Sequence, residues 1–212
     1  MNTFRTFTAA LLTTMIIGLV PATPSSATVP AGPVAATPTV EVAKAVVEPP
    51  AQLTLINATP AQADAVAEAI ELFEAAELGL APLEIEFHET TDGCRGNAGL
   101  YWPASPARGR SVDHIDLCNS LKVIALHELA HAWTRHNLAD ETREAFTAHW
   151  GLDSWSDMND DHLDRGIERA AHTIAFTLNQ VDAEASDGIV RYICGYELLT
   201  GTTLDIHTKI EC

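Results

Sequence analysis

Two histidines and one glutamate lie close together in a short apolar stretch, and such side chains can bind a metal ion and transfer protons. His127 and His131 are four residues apart, and Glu128 directly follows the first histidine. On a helix, four residues turn through about 400°, so both imidazoles leave one face and can reach one metal ion at roughly 2.0–2.1 Å. Glu128 lies about 100° round the helix from His127, which suits contact with a water molecule on that metal. Two neutral nitrogen ligands beside a carboxylate base are the groups that zinc-assisted hydrolysis requires.

The residues around this motif predict a buried helix rather than a surface helix with two chance histidines. From Val123 to Trp133, the two histidines and Glu128 are the only ionisable side chains. Ionisable groups buried without partners are costly, and a metal ion is a natural partner for them. The stretch resembles the active-site helix of the zincin metallopeptidases, which carry uncharged residues around the same HExxH pattern. The resemblance implies a zinc cofactor and hydrolysis of peptide bonds.

A catalytic zinc site keeps three protein ligands and one open position, so a third ligand is expected downstream of the motif. The metzincin family has a glycine and a histidine where this chain has Thr134 and Asn137, and that family is excluded. His136 follows His131 by five residues and has rotated about 140° off the ligand face. The third ligand must therefore come from another element.

The gluzincins take their third ligand from a glutamate on a later helix, and this resemblance favours Glu168. On a predicted helix, Glu168 shares a face with the small residues Ala171 and Ala175, which would allow a close approach to the HExxH helix. A lone acid among alanines needs a compensating charge, and zinc supplies one. Thermolysin-like enzymes carry an aspartate four residues after this glutamate to steady a zinc-bound histidine. This chain has His172 there, so that role has no assigned carboxylate.

Other residues stay open as the third ligand. Glu144 is the main alternative, because it resembles the third ligand of some intracellular HExxH proteins. It follows His131 closely in sequence, which leaves little chain to bring it back to the site. The connecting segment offers Asp153, His149 and His162 as further alternatives.

The predicted reaction is hydrolysis of a peptide bond in a protein or peptide substrate. His127, His131 and Glu168 would hold the zinc ion, and Glu128 would take a proton from the attacking water and return it to the leaving amine. His172, one turn after Glu168, is the expected donor to the tetrahedral oxyanion, with a structural hydrogen bond at the helix seam as an equal alternative. Weaker candidates for the same role are Tyr101, Tyr192 and Tyr196.

Two rival functions use the same residues. One is a non-catalytic zincin-fold binding protein with structural or vestigial zinc, which would act on exported or cell-wall partners. The intact Glu128 argues against it, because a structural site has no use for a base. The other rival is hydrolysis of a non-peptide amide.

The first 51 residues predict export. Arg5 precedes an apolar run at 7–20, and small residues suit cleavage after Ala27, or less well after Ala22, so 1–27 is a predicted signal peptide. An uncleaved N-terminal anchor is the alternative. Residues 28–51 are rich in alanine, proline and threonine, which is typical of an extended linker, either a spacer or a pro-segment. The folded domain is then expected at 52–212.

Charge and cysteine content limit the partners and the compartment. The formal net charge of −17 repels nucleic acid and anionic lipid, so we expect neither nucleic-acid binding nor membrane insertion after signal cleavage. We expect a secreted monomer, in the medium or associated with the cell envelope. An even number of cysteines in an exported chain predicts two disulfides, and short local loops favour Cys94–Cys118 and Cys194–Cys212.

The hydrophobic pattern predicts strands first and helices later, an α+β arrangement in which a small mixed or antiparallel sheet precedes the active-site helix. The predicted strands are 53–56, 83–87, 100–102 and 112–117, and the predicted helices are 60–78, 121–135, 141–150, 163–178 and 189–199. Thr59, Ser120 and Asp140 are the expected N-caps of the first three helices.

The zincin resemblance also implies that an edge strand lies along the cleft and pairs with the substrate backbone. Residues 114–117 are the strand that we expect at this edge. His88 and His114 lie on predicted strands where nothing positions them, so we expect solvated side chains rather than zinc ligands.

Overall fold

A sheet of four short strands supports the rest of the structure, a computed structural model that describes residues 53–157, 161–180, 187–203 and 212. The predicted signal peptide and linker lie outside these residues. The described residues all fall in one compact unit, Ala45–Cys212. Within them the chain forms one mixed sheet and five α-helices, so the predicted α+β class is confirmed.

The strands are β1 (Leu53–Ile56), β2 (Leu83–Phe87), β3 (Gly99–Trp102) and β4 (Asp113–Leu117), in the spatial order β1-β2-β4-β3. β1, β2 and β4 are parallel neighbours, and β3 runs antiparallel to β4. Residues in β2 and β4 alternate between buried and partly exposed, as expected for strands with one face in the core and one face toward solvent.

The predicted edge strand is wrong. β4, which contains residues 114–117, is an inner strand with β2 on one side and β3 on the other. β3 is the edge strand next to the helix that carries the HExxH motif. The reason is the connection: β3 and β4 form an antiparallel pair through the 103–112 loop, and β4 inserts between β3 and β2. Sequence alternation identifies a strand but does not determine its place in the sheet.

Five helices accompany this sheet, and the helix that carries the HExxH motif makes the main contacts with its strands. They are α1 (Pro60–Ala75), α2 (Lys122–Asn137), α3 (Asp140–Trp150), α4 (Gly166–Asn179) and α5 (Asp187–Thr200). α2 contacts β3 and β4 on one side and α4 on the other. Ala170, Ala171 and Ala175 of α4 are buried, and their small side chains allow the two helices to pack closely.

The helix caps agree with the sequence in part. Thr59 forms the predicted capping box at the start of α1. The N-cap of α2 is Leu121 rather than Ser120, and the N-cap of α3 is Ala139 rather than Asp140, neither with a side-chain hydrogen bond. Asp140 instead occupies the first turn of α3, where its charge favours the helix dipole.

Both predicted disulfides are confirmed. Cys94 bonds to Cys118 with an S–S distance of 2.10 Å, and Cys194 bonds to Cys212 at 2.11 Å. The first bond joins the segment before β3 to the residue after β4, so it fixes the edge of the sheet beside α2. In the part of the chain that the structure describes, no helix is long and apolar enough to cross a membrane.

Candidate metal centre

The HExxH motif lies on α2, the helix between the sheet and α4. His127 and His131 project from one face of the helix, as their spacing requires, and their Nε2 atoms are 3.1 Å apart. The His131 side chain is 9% exposed and that of His127 is 19% exposed. Both imidazoles therefore point into the protein, toward a single point at the α2–α4 seam.

Glu168, in the first turn of α4, completes this group. Its Oε2 atom lies 3.2 Å from His131 Nε2 and 3.3 Å from His127 Nε2. A tetrahedral zinc ion with ligands at about 2.0–2.1 Å holds its ligand atoms about 3.3 Å apart. The triangle formed by the two nitrogens and the carboxylate oxygen thus has the dimensions of three corners of a zinc tetrahedron.

The chemistry of these three groups also fits a cation. Burial opposes ionisation of Glu168, but hydrogen bonds with His127 and His131 outweigh it and hold the pKa of this carboxyl well below its ordinary value. Only one proton can lie between two imidazole nitrogens that are 3.1 Å apart, so two N–H groups would repel each other there. A metal ion uses the lone pairs of both nitrogens and the negative charge of the carboxylate together.

The alternative third ligands lie elsewhere, with one exception. Glu144 is exposed on α3, Asp153 is exposed beyond the end of α3, and His149 contacts the Arg191 carbonyl oxygen at 3.3 Å. The exception is His162, whose Nε2 atom lies 3.2 Å from Glu168 Oε2.

The hydrogen bonds of His162 indicate that it is a donor rather than a ligand. Arg165 lies 2.9 Å from His162 Nδ1, and a guanidinium can only donate, so Nδ1 accepts. The proton of the neutral ring is then on Nε2, the atom that faces Glu168. His162 thus donates to the carboxylate of Glu168, and its side chain is 60% exposed at the rim of the site.

Glu128 occupies a buried position against the edge strand. It is 5% exposed, and the Tyr101 backbone N–H donates to its carboxylate. Burial raises the pKa of Glu128 to about 7; the charge of Glu168 acts in the same direction, while His127 and the Tyr101 amide act against it. A carboxyl group with a pKa near neutral can both accept and release a proton.

Gly99, in β3, makes room for this carboxylate. A Cβ atom at position 99 would lie 2.6 Å from Glu128 Oε1 and 2.7 Å from its Cγ, closer than such atoms can approach. Sequence reasoning missed Gly99, because its role depends on how β3 is placed against α2. The only available signal was a glycine at the start of a predicted strand.

His172 lines the same cavity one turn after Glu168. Its ring packs against Phe176 and Tyr192, with centroid separations of 6.2 and 5.6 Å. Burial, followed by the nearby charges of His127 and Arg169, lowers the pKa of His172. A neutral imidazole retains one N–H that can donate a hydrogen bond.

The three tyrosines that were weaker candidates for the oxyanion donor make other contacts. The hydroxyl of Tyr101 donates to Asp113 Oδ2 at 2.8 Å, Tyr196 is fully buried in the core, and Tyr192 packs against His172 and Phe176. None of these three hydroxyl groups is placed beside the triangle by a hydrogen bond among the described residues.

A cavity of about 540 Å³ lies in front of the triangle. Its lining includes residues 98–101 of the edge-strand region, Val123 and Ile124 of α2, and His172 and Phe176 of α4. Mostly apolar walls around a few converging polar groups are typical of a binding site. His88 and His114 lie on the other face of the sheet, partly exposed, and take no part in this centre.

Comparisons of this chain with family models, with curated proteins and with solved structures find no match.

Proposed function

We propose that this protein is a secreted zinc-dependent peptidase. The observation that carries the proposal is the triangle of His127 Nε2, His131 Nε2 and Glu168 Oε2, with edges of 3.1, 3.2 and 3.3 Å. Glu128 supports a catalytic rather than a structural site, because a base beside the metal has no purpose in a structural one. The two disulfides support an exported protein.

Glu128 is the proposed general base and general acid. A zinc ion held by the triangle supplies Lewis-acid activation of water and of the substrate carbonyl. Glu128 accepts a proton from the attacking water and returns it to the leaving amine. The Tyr101 amide and the space left by Gly99 hold the carboxylate in one orientation for both transfers.

The proposed substrate is an extended peptide bound along β3. β3 pairs with β4 on one side only, so its other edge, where the Tyr101 N–H already donates to Glu128, offers its remaining backbone groups beside the cavity. A substrate strand that adds to this edge places successive side chains on alternate sides, and Val123, Ile124 and Phe176 provide an apolar surface for one of them.

The negative charge that develops on the substrate oxygen needs a hydrogen-bond donor. His172 remains our first proposal, because its ring lines the cavity and burial favours the neutral form with one N–H. His162 is not available for this role, because its one N–H already points at Glu168 Oε2.

Replacing Glu128 by glutamine tests the proposal. Zinc-loaded, tag-free wild-type protein is expected to cleave an unstructured protein such as casein, and E128Q is expected to bind zinc equally well and to lose hydrolysis. The matched control is E144Q, which makes the same chemical change at an exposed site on α3 and should keep full activity. Cleavage by E128Q at the wild-type rate would show that the proposed mechanism is wrong.

A zinc-loaded wild-type protein without activity on any peptide or amide would instead favour the non-catalytic binding protein. Its zinc content, measured on the same sample, separates a failed preparation from a protein that binds zinc and does not hydrolyse.

A further inference from the structure

A second group of metal-ligand side chains lies on the face of the sheet opposite the helices. In β2 and β4, Leu83, Ile85 and Ile115 point into the core, so the alternating residues point to the other face. In the parallel register, Glu84 lies beside His114, and Glu86 lies beside Asp116. We name the residues Glu86, His88, His114 and Asp116 the sheet cluster.

The atoms of the sheet cluster converge. His114 Nε2 lies 3.2 Å from Asp116 Oδ1 and 3.8 Å from Glu86 Oε2, and one ligand atom from each of these three residues lies within 4.8 Å of the other two. His88 Nε2 approaches the same Asp116 oxygen at 2.7 Å. Two imidazoles thus contact one oxygen of Asp116, and the Glu86 carboxylate lies within 4.8 Å of this group.

The side chains of the cluster are held in place. Trp102 Nε1 donates to Asp116 Oδ2 at 2.7 Å, which leaves Oδ1 to the two histidines. The His88 ring lies directly against Gly93, where a Cβ atom would overlap it. The Asp116 side chain is 13% exposed and that of His114 is 16% exposed, so neither is a freely moving surface group.

The cluster has excess negative charge. Glu84, Glu86 and Asp116 carry three formal charges on one small area. Three side chains, those of His88, Trp102 and His114, contact the Asp116 carboxylate. The carboxylates of Glu86 and Asp116 lie directly opposite each other on adjacent strands and repel.

The nearby arginines do not neutralise this charge by ion pairing. The guanidinium groups of Arg95 and Arg110 lie 4.5 and 5.2 Å from the centre of the Trp102 ring. Among the described residues, every ion-pair partner of Glu84, Glu86 and Asp116 is a histidine. Within the described part of the chain, these carboxylates thus have no arginine or lysine ion pair, and a divalent cation would be a strong partner for them.

We propose that the sheet cluster binds a second divalent metal ion, with His114 Nε2, Asp116 Oδ1 and Glu86 Oε2 as ligands. His88 holds the Asp116 carboxylate by a hydrogen bond to Oδ1. A mixed nitrogen and oxygen ligand set indicates zinc or another first-row transition metal rather than calcium, which takes oxygen ligands. The ion joins β2 to β4, and its role is to stabilise the sheet beneath α2.

This site does not depend on the proposed peptidase activity. It lies on the opposite face of the sheet from His127 and His131, and it shares no residue with their triangle. Loss of metal from one centre therefore leaves the ligands of the other in place, and the two can be counted separately.

Metal counting on purified full-length protein without a histidine tag tests the proposal. After equilibration with buffered zinc chloride, mass spectrometry of the metal content should give about two zinc ions per chain for wild type and about one for H114Q and for E86Q. H149A removes a histidine remote from both centres and should keep the wild-type content. One zinc ion in wild type, unchanged in H114Q and E86Q, would overturn the proposal.

Two further measurements guard against variants that fail to fold. Anomalous diffraction at the zinc edge from wild-type crystals should show a peak beside His114 as well as one beside His131; a map without the first peak contradicts the proposal. In an H127A/H131A background, added zinc should still raise the melting temperature, and E86Q in that background should abolish the shift. A shift that survives E86Q would also overturn it.

Discussion

Gly99 and Glu128 fit against each other so closely that a side chain at position 99 would displace the Glu128 carboxylate. The Cβ atom that Gly99 lacks would lie 2.6 Å from Glu128 Oε1. The edge strand thus does more than border the cavity. It also sets the position of the proposed catalytic carboxylate.

The first prediction concerns this contact. Gly99→Ala should retain zinc, because none of the three ligands moves, and should lower kcat/KM by roughly 10²-fold, because a displaced base no longer meets the water correctly. Peptide hydrolysis and metal content are measured on the same sample. Gly79→Ala is the matched control, since nothing lies within 4 Å of a Cβ there. Equal activity of G99A and G79A would contradict the role of Gly99.

The second prediction separates the rival third ligands. Glu168→Gln removes the charged corner of the triangle and should weaken zinc binding at this centre by at least about 10²-fold, measured by competition with a chelator. Glu144→Gln should leave the affinity unchanged, because Glu144 is exposed on α3. The opposite result would exchange the roles of these two glutamates.

The third prediction concerns His162. If it donates to Glu168, as its hydrogen bond with Arg165 indicates, His162→Ala should keep the zinc content and weaken zinc affinity by about tenfold. X-ray absorption spectroscopy at this centre, in the H114Q background, should find the same number of imidazole ligands with and without His162. A loss of one imidazole would make His162 a ligand.

The fourth prediction follows from the raised pKa of Glu128. Its pKa is about 7 in the fold and 4.5 as the ordinary value, so the folded metal-free protein binds the extra proton between these limits. Stability from this group is present below about pH 4.5 and is lost as the pH rises through 7, at a cost of about 3 kcal/mol. With chelator present, E128Q should therefore be more stable than wild type at pH 8 and equal to it near pH 4.5.

Urea unfolding of both proteins across this pH range measures the difference. E144Q, in the same chelator, should follow wild type at every pH, because its side chain is exposed in the fold. A difference between E128Q and wild type that does not change with pH would remove Glu128 ionisation as its cause.

The fifth prediction distinguishes the two disulfides. Replacing either pair by serine should lower the free energy of unfolding by about 3 kcal/mol, since the loops have similar lengths. Only C94S/C118S should also lower the activity of the molecules that remain folded, because this bond fixes the segments beside β3. Equal specific activities of the two folded variants would rule out a role for Cys94–Cys118 in the cleft.

Local spacing predicted much of the metal centre. The i, i+4 histidines, a glutamate facing small residues, and cysteines in short loops all depend on neighbours in sequence, so His127, His131 and both disulfides could be placed from the sequence alone. Glu168 needed the resemblance to a known family as well. The spacing of hydrophobic residues also distinguished strands from helices, and it predicted the α+β class.

Tertiary arrangement could not be read in the same way. The insertion of β4 between β2 and β3, the fit of Gly99 to Glu128 and the approach of His162 to Glu168 depend on contacts between distant segments. His88 and His114 were expected to be solvated, because nothing in sequence shows that adjacent parallel strands bring them to Asp116.

The alanines at the α2–α4 seam have a consequence for metal selection. The side chains of Ala171 and Ala175 let the two backbones approach, and that separation sets how far Glu168 stands from the imidazoles. A bulkier residue at either position would widen the gap and favour an ion of larger radius. The preference of the proposed metal centre for one element over another would thus depend partly on methyl groups that never touch the ion.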